Sequence, residues 1–163
     1  MVEKERKFLP KPGMLTSALE RNRIPQIIQQ GYLMVEDHQH LRVRVVDNTQ
    51  VFLCMKVGSG IERQEFEYEI PLKDGKEMLA NSLYRLTKTR VSLKHKSNHI
   101  DIDFYSDGLV VIEIEFKNDL GPDDIPEYCG EEVTGKKEYS NIYLAQKFSM
   151  DLSKLRKEDY FRP

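Results

Sequence analysis

Tryptophan is absent, and cysteine occurs only at Cys54 and Cys129 in a chain of 163 residues. Two distant cysteines without a CxxC pair exclude a disulfide scaffold and complete no zinc site. We expect both to be reduced, partly buried thiols, with a bridge between them as the alternative. No apolar run approaches the roughly 18 residues of a membrane span, and Met1-Val2-Glu3-Lys4-Glu5 offers no signal-peptide core. Nor is there an excess of either charge. Lys+Arg number 25 against 27 Asp+Glu, a net charge of −2, which argues against non-specific nucleic-acid binding. Repeats and low-complexity linkers are missing too. The expectation is a soluble, cytoplasmic protein with one folded domain and no membrane partner.

What is abundant is charge of both signs, at 32% of residues, above the roughly 25% of an average globular chain. Apolar residues recur mainly at period 2, which predicts strands over about 2–9, 26–35, 40–46, 50–57, 61–70, 87–94, 99–106 and 109–117. Turn signals at Asp47-Asn48, Gly58-Ser59-Gly60, Lys96-Ser97-Asn98 and Asp107-Gly108 make sequential strands antiparallel neighbours. Three helices interrupt them. One carries Met14, Leu15, Ala18 and Leu19; one is capped by Asp74, with Met78, Leu79, Leu83 and Leu86 as its apolar side; one is capped by Ser140, with Ile142, Tyr143, Ala145 and Phe148.

Successive strand residues point to opposite sides, so the alternation sorts each strand into an apolar and an ionic face. Arg42 and Arg44 oppose Leu41, Val43 and Val45; Asp101 and Asp103 oppose Ile100, Ile102 and Phe104; Glu113 and Glu115 oppose Ile112, Ile114 and Phe116. Lys88 and Arg90 share a face, as do Arg63, Glu65, Glu67 and Glu69. An ordinary half-buried sheet with a wet outer face explains any one strand. It does not explain the set, because like charges at i, i+2 lie only about 7 Å apart and repel. Carboxylate pairs suit a divalent cation and basic pairs suit an anion. About eight strands can close on themselves, turning the ionic face into a lumen with the helices covering the apolar outside. A metal bound beside a polyphosphate satisfies both signs.

These residues resemble the CYTH family, also called triphosphate tunnel metalloenzymes. The family's ExExK entry motif corresponds to Glu3-Lys4-Glu5-Arg6-Lys7, followed in order by Arg42-Val43-Arg44, Phe52-Leu53-Cys54-Met55-Lys56 and Arg63-Gln64-Glu65-Phe66-Glu67. Lys88-Thr89-Arg90, Asp101-Ile102-Asp103, Gly108 to Glu115, Gly130 to Gly135 and Tyr139-Ser140-Asn141 complete the match over about 2–148. Cys54 stands where Thr or Ser is expected, and Ile100 and Tyr128 where many members place Trp. No His-Phe pair precedes the motif, as it does in the family's class IV adenylate cyclases.

The resemblance implies a closed eight-stranded antiparallel barrel over 1–148 with a charged lumen, followed by a polar tail over 149–163. It implies Mg²⁺ or Mn²⁺ as cofactor and a triphosphate-containing small molecule as partner, with a homodimer left open. Phosphate binding falls to Arg42, Arg44, Lys56, Lys88 and Arg90, with Arg63 facing the same way. Metal binding falls to Glu3, Glu5 and Glu115, then Glu113 and Asp103. Lys7, Lys56, Glu65, Glu67 and Asp101 are placed in the catalytic step, one of the carboxylates accepting the proton of the attacking water. The expected activity is hydrolysis of inorganic triphosphate to pyrophosphate and phosphate. Alternatives are a nucleotidyl cyclase, a nucleoside or thiamine triphosphatase, or a non-catalytic polyphosphate-binding module. His38, His40, His95 and His99 read as loop or exposed residues, and Lys136 and Lys137 as solvated charges.

Overall fold

The computed structural model describes residues 2–19 and 24–149, so most of the expected polar tail lies outside the described residues. The strands are β1 (Val2–Pro10), β2 (Gln26–Glu36), β3 (Gln39–Val46), β4 (Gln50–Val57), β5 (Glu62–Glu69), β6 (Tyr84–His95), β7 (Asn98–Tyr105), β8 (Val110–Glu115) and β9 (Cys129–Glu132). The helices are α1 (Leu15–Leu19), α2 (Leu72–Ala80) and α3 (141–149). Among the described residues no helix is long and apolar enough to cross a membrane.

All neighbouring strands are antiparallel, in the order β5-β4-β3-β2-β6-β7-β8-β1. The ring closes where β1 meets β5, through only three residue pairs: Val2 with Gln64, Glu3 with Arg63, and Lys4 with Glu62. Farther along, the same edge of β1 is taken by β9, which pairs Phe8 with Glu132 and Pro10 with Cys129. This ninth strand was not expected from the sequence. Cys129-Gly130-Glu131-Glu132 has no apolar alternation, and only its partner makes it a strand. Val46 pairs with Gln50 across a three-residue loop in which Asp47 and Asn48 both have positive φ, 48° and 61°, a backbone geometry that follows the strand twist.

Apolar side chains pack mainly outside the ring. Phe8, Val91, Leu93, Ile100, Ile102, Ile112 and Ile114 form one outer core, roofed by Leu15 and Leu19 of α1 and by Leu120, Ile125 and Tyr128. Val43, Val45 and Val51 form another under Leu72, Met78 and Leu79. There α2 sits so close that a Cβ on Gly75 would lie 2.2 Å from Val51 Cγ1, which only glycine permits. Helix α2 corrects one expectation. It starts after the extended Pro71, which is its N-cap and makes no side-chain capping bond, so Asp74 lies in the first turn instead. The helix ends at Ala80, leaving Leu83 exposed and Leu86 on β6. A third cluster joins Tyr32, Leu86, Tyr105 and Val111, which share strand faces with the ionic residues, to Leu144 and Ala145 of α3. Helix α3 therefore closes one end of the ring. Its N-cap is Ser140 as expected, Oγ accepting from Tyr143 N–H at 3.2 Å.

Candidate functional site

The ring encloses a cavity of about 800 Å³. Its wall carries Glu3, Glu5, Lys7, Arg42, Arg44, Lys56, Arg63, Glu65, Glu67, Arg90, Asp101, Glu113 and Glu115. Lys88 and Asp103 follow on the same inward faces but are sealed in the wall, each side chain at 0% exposure. Strand register explains the grouping. Glu5 lies directly across from Glu115, Lys7 from Glu113, Lys56 from Glu65, and Arg90 from Asp103. Lumen residues scattered through the sequence thus become rungs of one tunnel.

Most lumen cations already hold a carboxylate. Lys56 Nζ donates to Glu3 Oε2 at 2.5 Å and lies 3.1 Å from Glu65 Oε2. Arg63 donates to Glu5, and Lys7 Nζ lies 3.2 Å from Glu113 Oε1. Arg44 Nη2 donates to both oxygens of Glu67, at 2.9 and 3.1 Å. Arg90 forks across Asp103 at 2.6 and 2.7 Å and reaches Asp101 at 2.7 Å. Lys88 Nζ donates to Asp103 at 2.6 Å and to Asn141 Oδ1 at 3.1 Å, which ties α3 to the wall.

Two groups depart from this balance. Arg42 is 6% exposed, and its Nε is buried without a hydrogen-bond partner. Burial works against its charge. Tyr32, Cys54, Glu65 and Glu67 together more than offset this and raise its pKa. Burial raises the Tyr32 hydroxyl and pushes the Cys54 thiol up to about 11, so both are neutral at pH 7. The compensation left at that pH comes from Glu65 and Glu67, which Lys56 and Arg44 already engage. At the open end, the Glu115 carboxyl is raised, first by burial and then by the charge of Glu3, with Asp101 and Glu65 adding to it. Glu65 also shares a hydrogen bond with Glu3. Glu113 behaves oppositely. Burial alone would raise it, yet Lys7, Lys88 and Arg90 hold it well below the usual carboxylate range.

Glu3, Glu5 and Glu115 line one cavity and offer hard carboxylate oxygens, the donor chemistry that suits a divalent cation. Among the described residues, Cys54, Glu65 and Glu67 are the group whose ligand atoms all lie within 4.8 Å of one another, close enough to hold a metal ion. Its thiol stays protonated and faces Arg42 directly across the ladder, which suits a hard cation less well. Asp103 is placed differently from the other expected metal carboxylates: both of its oxygens accept from Arg90 and one also from Lys88.

The CYTH domain profile matches residues 1–149. The chain belongs to the CYTH family. An inorganic triphosphatase from Nitrosomonas europaea is 34% identical over 154 residues, covering 89% of this chain and 97% of the relative. Another, from Acetivibrio thermocellus, is 29% identical over 125 residues, covering 74% of this chain and 80% of the relative. The solved structure of the PH1819 protein from Pyrococcus horikoshii OT3 superposes with a TM-score of 0.64 at 21% identity, over 89% of this chain and 98% of that one. The CYTH ring is therefore present in full among the described strands.

Histidine readings change with the structure. His40 is not a loop residue: it is the second residue of β3, lines the cavity and sets its ring edge-on to Tyr32, centroids 5.6 Å apart. Its position two residues before Arg42 was the available signal. His99, expected as a merely exposed turn residue, lies two residues before Asp101, and its Nε2 is 2.9 Å from Asp101 Oδ1. Ser92, which donates to Asp101 at 2.5 Å, follows Arg90 by the same spacing. Asn141 had no periodic signal, since its position depends on where α3 docks.

Burial first, then Arg42, Lys56 and Arg63, push His40 down to about 3. The unfolded chain protonates this group near 6.5, the folded chain near 3, so stability is full above 6.5 and falls as pH drops between these values. We expect a loss of about 1 kcal/mol at pH 5 after discounting for partial exposure. Thermal melts of the parent and His40→Gln at pH 7.5 and 5 measure it. The variant should lose about 3 °C less on acidification, and equal slopes would contradict the assignment.

Proposed function

We propose that this CYTH protein hydrolyses inorganic triphosphate to pyrophosphate and phosphate inside the ring, with Mg²⁺ or Mn²⁺ as cofactor. The supporting observation is the polarity of one cavity: crowded carboxylates at the open end, and deeper in the wall the buried Arg42. A triphosphate carries about four to five negative charges near neutral pH, and a water-poor site holds it only with several fixed cations. Arg42, Arg44, Lys56 and Arg90 bind phosphoryl oxygens, the guanidiniums as forks and Lys56 as a point charge. Lys88 sits behind them and holds Asp103, so the two act as the rear support of Arg90.

Glu3, Glu5 and Glu115 would hold the cation, with Glu113 adjoining through Lys7. Once bound, the cation supplies Lewis-acid polarisation of a phosphoryl oxygen and a lowered pKa for water. Asp101 has both oxygens occupied, by Arg90, Ser92 and His99, so it positions Arg90 rather than accepting a proton. Glu67 fixes Arg44 in the same way. Glu65, held by Lys56, Glu3 and the Cys54 thiol but, among the described residues, by no arginine fork, is our choice of proton acceptor for the attacking water, with Lys56 beside it to follow charge developing on the transferred group.

Phosphate release from inorganic triphosphate, ATP and pyrophosphate tests the reading. Triphosphate should be cleaved with Mg²⁺ or Mn²⁺ and spared in EDTA, with little release from pyrophosphate. Glu115→Gln should weaken Mg²⁺ binding by about 100-fold. Equal turnover in EDTA, or a cyclic nucleotide formed from ATP in place of phosphate from triphosphate, would overturn it.

A further inference from the structure

Three cations are held by the carboxylates that the proposed metal would occupy, and one of them, Lys7, lies 3.7 Å from Glu5 but closer to Glu113, at 3.2 Å. Arg63 is the second. It sits on β5 directly across from Glu3, at the three-pair seam that closes the ring. Its Nη2 donates to Glu5 Oε1 and lies 3.7 Å from Glu3 Oε2. Its Nε is buried without a hydrogen-bond partner, so the guanidinium is only partly engaged. Lys56 is the third, on Glu3 but also on Glu65, so it keeps a carboxylate if Glu3 is taken.

We infer that Arg63 is a metal-released phosphate clamp: a divalent cation on Glu3 and Glu5 takes the carboxylates that hold its guanidinium and frees it to bind a phosphoryl oxygen. The inference rests on the metal placement proposed above. A carboxylate oxygen cannot serve a divalent cation and a guanidinium at full strength together, and the doubly charged ion wins the exchange. Arg63 then lies beside the new ion, where like charge drives it toward the nearest anion. In the metal-loaded tunnel that anion is the substrate. Triphosphate therefore meets a wall with one more available cation after metal has bound than before. By linkage, each ligand strengthens the other, and part of that coupling runs through this one residue.

Calorimetry on the full chain tests it, with a methylene-bridged triphosphate that is not cleaved. Mg²⁺ alone, the analogue in EDTA, and the analogue at saturating Mg²⁺ are titrated into the parent, Arg63→Met and Arg63→Lys. In EDTA, Arg63→Met should bind the analogue within about twofold of the parent, because Arg63 is then engaged elsewhere. At saturating Mg²⁺ it should bind about tenfold or more weakly, with Arg63→Lys recovering part of the loss. Mg²⁺ alone should bind Arg63→Met at least as tightly as the parent, the nearer of the two cations on Glu5 being gone and only Lys7 remaining. Equal weakening with and without Mg²⁺ would make Arg63 a permanent clamp, and no weakening in either would remove it from the phosphate site. Either result overturns the inference. If Arg63→Met does not melt as a folded protein, Arg63→Lys carries the same comparison. Mg²⁺ binding that is unaffected by Glu115→Gln would instead overturn the metal placement itself, and this inference with it.

Discussion

Arg42→Met lowers kcat/KM for inorganic triphosphate by about 100- to 1000-fold, the loss seen when one preorganised donor to a developing charge is removed. The melting temperature should not fall with it. Arg42 is buried, its Nε lacks a partner, and the carboxylates whose charge reaches it are already held by Lys56 and Arg44. A charge kept under those conditions costs the empty protein stability, and methionine fills similar volume without that cost. We expect the variant to melt at the same temperature or higher, by up to about 2 kcal/mol of stability. Steady-state kinetics and a thermal melt on the same preparation decide the matter. A variant that keeps its activity, or one that loses both activity and several degrees of stability, would show that Arg42 serves the fold rather than the substrate.

Arg90→Met should behave in the opposite way and lose the fold's stability first. Arg90 satisfies both oxygens of Asp103 and one of Asp101, and lies 3.5 Å from Glu113. Removing it leaves Asp103 Oδ1 and Asp101 Oδ2 without their donor and takes a cation from Glu113, at a cost of about 3–5 kcal/mol and a fall in Tm of about 10 °C or more. The deficit should depend on pH. Glu113 is held well below its ordinary value by Lys7, Lys88 and Arg90 against the pull of burial. A depressed carboxyl stabilises the fold above its unfolded pKa near 4.5 and loses that contribution as pH falls below it. The variant has already lost part of it, so the gap between parent and variant narrows as pH falls below about 4.5. Chemical denaturation at about pH 7.5 and about pH 3 measures both points. A gap that stays constant, or a Tm within a degree or two of the parent, would mean that Arg90 is not the hub its geometry describes.

Much of the tunnel was legible because a strand's period is two. Once Arg42, Arg44, Lys88, Arg90, Asp101, Asp103, Glu113 and Glu115 were read as one face of each strand, their gathering needed only closure of the ring. The same rule reaches His40, Ser92 and His99, each two residues from a named lumen charge, although isolated histidines near turns favour the exposed reading. Other features left no trace in the pattern. β9 is a strand because β1 offers it an edge, and α2 begins at Leu72 because Pro71 is extended, whatever the capping promise of Asp74.

The amino-acid order alone determined which side chains share a face, where the hairpins turn, and which family the charged motifs resemble. Those are local facts, carried by alternation and by turn residues such as Asp47-Asn48. The tertiary structure decided which face is inside and which cation goes with which anion. It closed the ring through Val2–Lys4 and Glu62–Gln64, set Lys56 on Glu3 and Arg63 on Glu5, and left Arg42 among carboxylates already taken. The reason is the range of the forces involved. An ion pair is made or lost over an ångström or two, between residues as far apart in the chain as Glu3 and Lys56, and only the strand register sets that distance.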